Sequence, residues 1–509
     1  MSGDLFGNIL LGLQTALMPV NLWYCFIGVS LGTLIGVVPG IGALTAIAML
    51  FPITLHLEPT AAIIMLAGIF YGAGYGGSTA SILLNVPGTP SSAIVCLDGY
   101  PLARKGRAGV ALALTALASF IGGSIGIVLM MAFSPLLAGI ALSFGPPEYF
   151  ALMTLGLVAA AMISDGSAVK GLAMVALGVL VGTAGTDVYT GVQRFTFGTL
   201  SLYQGFSLVA VTMGLFGIAE VLATAGRREQ THVTQNKITF RSMIPTREDV
   251  GRFWPAALRG TGIGSLIGTL PGAGGTIASF MAYSIEKRVT RTPERFGKGA
   301  IEGISAPEAA NNAADQTAFI PTLTLGIPGT PTMALIMGAL LIHGIQPGPL
   351  MITERPDLFW GLVMSFWVGN VLLLVLNLPL IGIWVRLLTV PYHLMFPIIV
   401  ALVCLGVYSI DRSSFDVWMV FLFGLGGYLL RLFGFSVVPL LLGFVLGPLV
   451  EENFRRTMII ARGDPSIFID RPISAAILAL TTLLLLLGFA AGLRAMTRAR
   501  RLRTSSQTE

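Results

Sequence analysis

Charged side chains are scarce in this chain of 509 residues. Asp, Glu, Lys and Arg together make up 11% of it, and hydrophobic residues make up 54%, whereas about a quarter of a soluble chain is usually charged. At roughly 150 residues each, the length would suffice for about three soluble domains, but so few charges cannot cover their surfaces. The composition excludes soluble, secreted, fibrous and disordered proteins and predicts a protein of the lipid bilayer.

Residues that enzymes and metal sites require are also few and scattered. The three cysteines and four histidines form no disulfide framework or metal-binding spacing. Gly122–Gly126 fits the G-x-S-x-G pattern but lies in a continuous helical run, and no Walker A sequence occurs. A secretory signal peptide is not expected, because the first basic residue is Arg104. We therefore expect neither an enzyme nor a nucleic-acid-binding protein, and no cofactor.

Glycine and proline, in contrast, are abundant, with 63 and 28 copies. Small residues let helices approach closely, and Pro and Gly interrupt helices. Runs long enough to cross a bilayer, roughly 17 to 25 residues, are predicted near 22–38, 110–132, 149–163, 171–185, 205–224, 358–385, 394–410, 417–450 (two spans) and 473–493. Shorter or interrupted runs lie near 43–53, 61–73, 78–97, 275–285 and 316–341. The sequence thus predicts an all-α polytopic membrane protein with broken helices.

Basic residues indicate the orientation, because cytoplasmic loops of membrane proteins carry an excess of Lys and Arg. Seven basic residues and three acids lie in 226–259, and a second basic cluster follows residue 493. Both are predicted to be cytoplasmic. The expected organisation is membrane repeat 1 at 1–225, a basic cytoplasmic connector at 226–259, membrane repeat 2 at 260–472, and a C-terminal transmembrane helix with a basic cytoplasmic tail at 473–509.

Two signatures occur once in each half of the chain. Residues 28–42 read GVSLGTLIGVVPGIG, and residues 260–274 read GTGIGSLIGTLPGAG. Farther along, Val86–Pro90 matches Ile327–Pro331, each carrying Pro-Gly-Thr-Pro. Internal similarity of this kind predicts a structural repeat.

Corresponding loops of the two halves differ in basic charge. Loop 52–60 has no Lys or Arg, whereas loop 286–300 has five; loop 98–107 has three, whereas loop 343–357 has one. Read by the positive-inside rule, the two halves sit upside down relative to each other. We therefore expect two inverted-topology repeats, the architecture of many secondary transporters.

The Pro-Gly-Thr-Pro elements predict the substrate site. Two prolines three residues apart cannot continue a helix, so each stretch is expected to form a re-entrant hairpin, with a kinked structural helix as the alternative. A hairpin tip would present amide N–H groups and hydroxyls, which attract carboxylates. The candidate substrate-binding residues are Ser78, Thr79, Asn85, Gly88, Thr89, Pro90, Ser91, Gly329, Thr330, Pro331 and Thr332.

Candidates for ion coupling come from two sources. Pro-Gly breaks at the ends of the glycine ladders free backbone carbonyls that can bind Na⁺. The polar stretch 300–317 carries acids that could coordinate a cation or take a proton, although an interfacial loop would make them ordinary surface charges. The candidates are Gly40, Gly272, Asn311, Asn312 and Asp315, with no metal beyond a possible Na⁺.

Several long strings resemble one known family over nearly the whole chain. They include GTLIGVVPGIG, YGGSTASILLNVPGTPSSA, DGYPLARKG, APEAANNAADQ and LTLGIPGTPTMALIMGALLIHGIQPGP. These strings, in this order, resemble the TctA family, the large membrane subunit of tripartite tricarboxylate transporters. Onto this sequence the family's motifs carry over as Gly88-Thr89-Pro90, Asn311-Asn312 and Gly329-Thr330-Pro331.

The resemblance implies a function that composition alone does not. It implies a multi-pass permease of the bacterial inner membrane, driven by a Na⁺ or H⁺ gradient, that imports citrate or a related organic carboxylate by alternating access. It also implies two partners: a small four-span membrane subunit of the TctB type and a periplasmic substrate-binding protein of the TctC type. A carboxylate channel, a membrane-embedded enzyme and a non-transporting scaffold remain as rival classes.

Overall fold

Helices make up nearly all the regular structure of the computed structural model, which describes residues 5–38, 42–141, 143–163, 167–187, 189–224, 239–270, 274–387 and 392–505. The first half contains α1 Leu5–Ala16, α2 Pro19–Val37, α3 Gly42–Thr54, α4 Pro59–Leu84, α5 Cys96–Leu102, α6 Ala108–Ala141, α7 Pro146–Ile163, α8 Ala168–Gly182, α9 Leu208–Thr212 and α10 Ala219–Thr224. Short 3₁₀ or π-helical segments lie at Pro90–Val95, Ala103–Arg107, Leu200–Leu202 and Met213–Ile218.

The second half continues the helical pattern. It contains α11 Arg247–Gly268, α12 Gly274–Val289, α13 Glu302–Thr317, α14 Phe319–Leu325, α15 Pro331–Ile342, α16 Met351–Glu354, α17 Pro356–Asn377, α18 Ile381–Leu387, α19 Tyr392–Asp411, α20 Ser414–Leu432, α21 Val438–Ile460, α22 Ile467–Asp470 and α23 Pro472–Ser505. Further 3₁₀ turns lie at Phe240–Met243 and Pro293–Arg295. Two antiparallel two-residue strands, β1 Gly185–Thr186 and β2 Gln193–Arg194, form a small hairpin.

Six helical stretches in the described residues are long and apolar enough to cross a membrane. They are Pro19–Val37, Pro59–Leu84, Pro90–Leu137, Pro356–Asn377, Ser414–Leu432 and Pro472–Ala490, and shorter apolar helices accompany them. The prediction of an all-α polytopic membrane fold is confirmed. One expected interruption is absent, since the runs predicted near 61–73 and the start of 78–97 belong to the single helix α4.

The chain forms two compact units, and each is discontinuous in sequence. Unit 1 contains residues 1–142 and 212–425, and unit 2 contains residues 143–211 and 426–509. The two similar sequence halves therefore each contribute to both units.

In unit 1, both glycine ladders pack against a neighbouring helix in the same manner. A Cβ at Gly28, Gly32 or Gly36 of α2 would collide with the backbone of α4 at Met65, Ile69 and Ala73, respectively. In α11, Gly260, Gly264 and Gly268 meet the backbone of α13 in the same way at Ala306, Ala310 and Ala314. Glycine at a spacing of four gives each pair of helices the close approach expected of small-residue interfaces.

Unit 2 is built by α7, α8, α21 and α23. Gly178 of α8 lies against the backbone of Leu440, and Gly443 of α21 lies against that of Val175. Buried acids in this unit are paired with arginine, as in the contact of 2.6 Å between Arg471 Nε and Glu148 Oε1. These contacts hold the helices of unit 2 together.

The polar stretch of the second half is not an exposed loop. It forms α13, and every residue from Glu302 to Thr317 is buried. A helix that is polar in sequence yet buried on all sides must satisfy its side chains internally. This requirement makes α13 the first place to look for a functional site.

Candidate functional site

Both Pro-Gly-Thr-Pro elements interrupt a helix, and the interruption has the same backbone signature. Helix α4 ends at Leu84, and Asn85 then adopts a left-handed conformation with φ of 58°. Helix α14 ends at Leu325, and Gly326 follows with φ of 69°. A left-handed residue after the last turn is a common way to terminate a helix. Both motifs therefore stop a helix and start a new one at the second proline.

The first break is stabilised by its own hydroxyl groups. Thr89 N–H donates to Ser92 Oγ at 3.2 Å, and Ser92 Oγ donates to the Thr89 carbonyl at 2.9 Å. Ser81 Oγ reaches the same Ser92 hydroxyl at 3.0 Å. Thr89 and Ser91 hydroxyls lie 3.2 Å apart. Ser91 is half-buried, whereas Asn85 and Pro90 are exposed.

The second break has fewer internal hydrogen bonds. Thr330 is the N-cap of α15, and its Oγ1 accepts from Met333 N–H at 3.2 Å. Pro331 occupies the first helical position, where its missing N–H is no loss. Thr330 and Pro331 are half-buried, and Thr332 is buried. Met333 N–H is taken by Thr330 Oγ1, and Ala334 N–H bonds the Thr330 carbonyl at 3.0 Å. Among the described residues, Thr332 N–H is therefore the first-turn donor that remains for a ligand.

The helix α13 brings two acidic groups into the same region. Glu308 is fully buried, and it accepts hydrogen bonds from Ser78 Oγ at 2.5 Å and Ser119 Oγ at 2.7 Å. Asn312 Nδ2 approaches its Oε1 at 3.4 Å. Glu308 and Thr79 also line a small cavity, with Tyr75, Leu112, Thr115, Ala116, Ser119, Asn377 and Ile381. Three neutral donors hold this carboxylate, and no Lys or Arg is bonded to it in the described structure.

The second acidic group is Asp315, two turns farther along α13. A Cβ added to Gly275 would lie 2.5 Å from Asn311 Oδ1 and 2.9 Å from Asp315 Oδ1. A Cβ added to Gly74 would lie 3.7 Å from Asp315 Oδ2 and 3.8 Å from Asn312 Oδ1. Side-chain oxygens of three α13 residues therefore converge on the space left by two glycines, one on α4 and one on α12.

Each helix break is connected to α13 through two consecutive residues of another helix turn, one of which lies beside the break while the next one lies beside an acid of α13. Beside the first break, a Cβ on Gly77 would lie 2.7 Å from Thr89 Oγ1, and the next residue, Ser78, bonds Glu308. Beside the second break, a Cβ on Gly274 would lie 3.1 Å from Thr330 Cγ2, and the next residue, Gly275, faces Asp315. The two breaks and the two buried acids thus form one connected polar centre within unit 1.

The positions of the sequence-predicted residues can now be compared. Ser78, Thr79, Asn311, Asn312 and Asp315 are brought together, and Gly88, Thr89, Gly329, Thr330 and Thr332 lie at the breaks. Gly40 and Gly272 lie outside the described residues. Outside this centre, Asp187 lies directly after β1 in unit 2 and forms ion pairs with Arg194 of β2 and Arg455 of α21.

Some residues of the polar centre had no distinctive sequence signal. Ser119 and Asn377 lie in apolar helices and are only recognisable through their contacts. Tyr75 Oη donates to Asn370 Oδ1 at 2.6 Å, and Asn370 in turn donates to Ser124 Oγ. The isolated polar residues within otherwise apolar runs would have been the available hint.

Asp98, the first residue of the string DGYPLARKG, is another buried acid. Its Oδ1 accepts from the backbone N–H groups of Gly299 and Ala300, each at 2.8 Å, and its Oδ2 accepts from Tyr283 Oη at 2.9 Å. These bonds fix α5 of the first half against the start of α13. The role visible here is to position the acidic helix.

The described fold and this buried polar centre define a polytopic membrane protein whose broken helices meet at an acidic site, the arrangement typical of secondary transporters. The profile of the tripartite tricarboxylate transporter TctA family matches residues 22–442. The chain belongs to this family, and it is therefore a membrane component of a tripartite tricarboxylate transporter.

Two relatives come from Agrobacterium vitis. One, described as an uncharacterized 52.8 kDa protein in the TAR-I ttuC' 3' region, is 51% identical over 476 residues, which are 94% of each chain. The other, an uncharacterized protein in the TAR-II ttuC' 3' region, is 54% identical over 231 residues, which are 45% of this chain and 96% of the relative. No solved structure matches the chain.

Proposed function

We propose that this chain is the permease subunit that carries an organic carboxylate, citrate or a related tricarboxylate, through the membrane in symport with Na⁺ or H⁺. The observation that carries the proposal is the connected polar centre, in which two matched helix breaks meet a buried acidic helix. A transporter of this kind needs a substrate site and an ion site close enough to influence each other. The centre supplies groups for both.

The substrate site lies at the two Pro-Gly-Thr-Pro breaks in this proposal. Residues 1–103 and 299–354 contain no Lys or Arg, so a cation clamp from these segments is excluded. Helix N-termini and hydroxyl groups are the remaining means of holding a carboxylate there. Ser78, Thr79, Ser91, Thr89 and Thr330 provide the hydroxyls, and Gly88 and Gly329 allow close backbone approach.

The proposed transport cycle is alternating access by two inverted repeats. Their equivalence is supported by the matching glycine contacts of α2 with α4 and of α11 with α13, and by the left-handed residues at Asn85 and Gly326. The reversed loop charges support the inversion. In this cycle each break forms a re-entrant hairpin, and one repeat element moves relative to the rest.

The proposed setting is the bacterial inner membrane, with the connector 226–259 and the C-terminus in the cytoplasm. A small four-span subunit of the TctB type and a periplasmic binding protein of the TctC type would complete the system. Because the binding protein captures the substrate first, it would determine much of the selectivity among carboxylates.

Substitution of both threonines tests the proposal. Thr89→Ala and Thr330→Ala should each lower uptake of labelled carboxylate by at least about tenfold, the size expected from removing an oriented polar contact in a buried site. The measurement is uptake by proteoliposomes containing the three subunits. Thr482→Ala is the control, because the exposed Thr482 hydroxyl bonds the Leu478 carbonyl of its own helix and no other group in the described part of the chain.

The outcomes separate the proposal from its rivals. Normal uptake by both threonine variants would remove the breaks from the mechanism. Flux that is insensitive to ion gradients would indicate a channel instead, and absence of flux with normal assembly would indicate a scaffold. Membrane insertion of each variant is checked by its yield after purification.

A further inference from the structure

The amide of Asn311 is buried and unsatisfied. Asn311 is 1% exposed, and neither its Oδ1 nor its Nδ2 has a hydrogen-bond partner among the described residues. A buried polar group without a partner is costly, and native structures retain one where a ligand, ion or water completes it. Asn311 therefore points to a missing ligand.

The same place lacks a positive charge. The Asp315 carboxylate is 8% exposed, and no hydrogen bond or salt bridge to it occurs within the described ranges. An isolated carboxylate is rarely kept charged in a buried site unless a cation or several donors accompany it. Since residues 1–103 and 299–354 contain no Lys or Arg, helices α4, α13, α14 and α15 cannot supply that cation.

The geometry confines the missing group to a small space. Asn311 Oδ1 and Asp315 Oδ1 both lie within 3 Å of the point where a Cβ on Gly275 would stand. Asp315 Oδ2 and Asn312 Oδ1 lie 3.7 Å and 3.8 Å from the corresponding Cβ position of Gly74. The methyl group of an alanine at Gly275 would collide with both oxygens, so glycine is required for the two oxygens to lie this close to α12.

We propose that Asn311, Asn312 and Asp315 bind a Na⁺ ion in the space bounded by Gly74 and Gly275. Hard cations prefer oxygen ligands, and one carboxylate with neutral amide oxygens matches a single positive charge better than the several carboxylates of a Ca²⁺ site. The site has no nitrogen or sulfur ligand suited to zinc. The inference rests on the proposed transport function and deepens it by choosing Na⁺ over H⁺.

The location explains how the ion would be coupled to the substrate. Gly275 faces the ion ligands, and the adjacent Gly274, with φ of 58°, faces the Thr330 methyl group at the second break. Both glycines belong to the first turn of α12. An ion held by Asp315 and Asn311 would therefore fix the start of α12 against the N-terminus of α15. Ion binding and carboxylate binding would then favour the same conformation, which is the requirement for positive coupling.

Binding is tested without transport by the thermal unfolding of the purified chain. NaCl should raise the Tm of the wild type saturably when choline chloride keeps the ionic strength constant, because a ligand that binds only the folded state stabilises it. KCl should have a much smaller effect. Asp315→Asn, Asn311→Ala and Gly275→Ala should each remove the Na⁺-dependent rise, while the Tm without Na⁺ reports whether each variant folds.

A matched control and a second measurement keep the test decisive. Gly262→Ala makes the same change at a glycine whose Cβ would meet no atom within 4 Å, so it should keep the full Na⁺ effect. Direct ²²Na⁺ binding to the same preparations should be lost in the three site variants. In the assembled transporter, Gly275→Ala should raise the Na⁺ concentration for half-maximal uptake by at least about tenfold.

Two results would overturn the site. One is a wild-type Tm that does not respond to Na⁺, or responds equally to K⁺. The other is a Na⁺ effect that persists in the three variants. If either occurred while labelled carboxylate uptake remained gradient-driven, the transport proposal would stand and the ion site would be wrong. If Na⁺ bound as described but the assembled system carried no carboxylate, the transport proposal would be the one that failed.

Discussion

Helices α4 and α13 occupy equivalent positions in the two halves of the chain, yet they carry opposite chemistry. Gly36 packs on Ala73 of α4, and Gly268 packs on Ala314 of α13. The residues that follow these two alanines are Gly74 and Asp315. One half supplies space at this position and the other supplies a charge. The glycine and the aspartate face each other in the structure.

The same equivalence extends along both helices. When the two segments are aligned so that Gly74 matches Asp315, Ala67 matches Glu308. In the same alignment Thr89 matches Thr330. The helix break and its threonine are thus shared, whereas the two carboxylates of the polar centre belong to the second half alone. The difference teaches that the two halves share the packing of these helices, while the proposed ion site depends on positions at which the halves differ.

Several buried acids outside the polar centre are paired with arginine. Asp187 is paired with Arg194 and Arg455, Glu286 with Arg259, and Asp249 with Arg107. Glu308 and Asp315 have no such partner in the described residues. Asp98 also lacks an arginine, but it accepts three hydrogen bonds from Tyr283 and two backbone N–H groups. Asp315 has neither a cation nor a donor among the described residues, and an unpaired intramembrane acid is a candidate for function. The contrast between these two kinds of acid can be tested directly.

The largest effect is expected from placing a second carboxylate, at position 74, opposite the carboxylate of Asp315. Gly74→Asp would put two buried like charges side by side, which strongly disfavours ionising both. Uptake should fall by about a hundredfold or more. The double variant Gly74→Asp/Asp315→Gly moves the charge to the other half and should recover at least about a tenth of wild-type uptake. If uptake by the double variant were no higher than uptake by Gly74→Asp alone, positions 74 and 315 would not be equivalent.

Removing the charge of Glu308 should have the next largest effect. Glu308→Gln keeps the size of the side chain. One of the two carboxylate oxygens that accept hydrogen bonds from the Ser78 and Ser119 hydroxyls becomes an NH₂ group, which can only donate. Uptake should fall by at least about tenfold, and Ser119→Ala should show a smaller loss. Comparison with Ala67→Gly at the equivalent position of α4 supplies the control. Full activity of Glu308→Gln would make this acid structural.

The two Pro-Gly-Thr-Pro glycines should respond unequally to alanine. A Cβ on Gly88 would collide with the Gly36 carbonyl oxygen and lie 2.6 Å from Gly77 Cα, whereas a Cβ on Gly329 would have its nearest neighbour, the Gly268 carbonyl oxygen, at 3.8 Å. Gly88→Ala should therefore lower the folded yield and the uptake severely, because backbone atoms would have to move. Gly329→Ala should keep a folded yield within about twofold of wild type. Equal effects would contradict the packing difference between the two breaks.

The smallest effect concerns the pH dependence of stability in unit 2. Hydrogen bonds from the Thr190 and Tyr189 N–H groups, together with Arg194 and Arg455, lower the pKa of Asp187 from 3.8 to about 2. A lowered pKa in the folded state means that Asp187 stabilises the fold above pH 3.8, and that this stabilisation is lost as the pH falls toward 2.

Thermal unfolding between about pH 5 and about pH 2 measures this contribution, because the stabilisation is complete above pH 3.8 and is lost as the pH falls toward 2. Asp187→Asn should have a lower Tm than the wild type at pH 5, and the difference should shrink as the acid is protonated. A difference that does not change with pH would show that the side chain acts through its size and not through its charge.

The sequence predicted the helical membrane fold and most helices correctly, because apolar runs of membrane length carry a strong signal. It also predicted the two helix breaks, since Pro-Gly-Thr-Pro cannot continue a helix. The single helix α4 was harder to predict, because its Gly and Ser residues resemble an interruption although α2 packs closely on them. The two discontinuous units could not be read from the order of segments, since they depend on which distant helices pack together.

The polar centre was only partly predictable. Asn311, Asn312 and Asp315 stood out as polar residues in an apolar chain, but their convergence on Gly74 and Gly275 depends on tertiary contacts. The Ser78 and Ser119 bonds to Glu308 join residues 189 to 230 positions apart. No local pattern encodes such separations. The sequence identified candidate residues of the site, and only the fold shows which of them are in contact.

The most direct test of the transport account is carboxylate uptake by proteoliposomes that contain the chain and its two partner subunits. An inward Na⁺ gradient should stimulate uptake of labelled citrate or a related carboxylate by about tenfold in the wild type, and Asp315→Asn should abolish the stimulation. Uptake that is equally fast without the gradient, or Asp315→Asn protein that retains the full Na⁺ stimulation, would contradict the account.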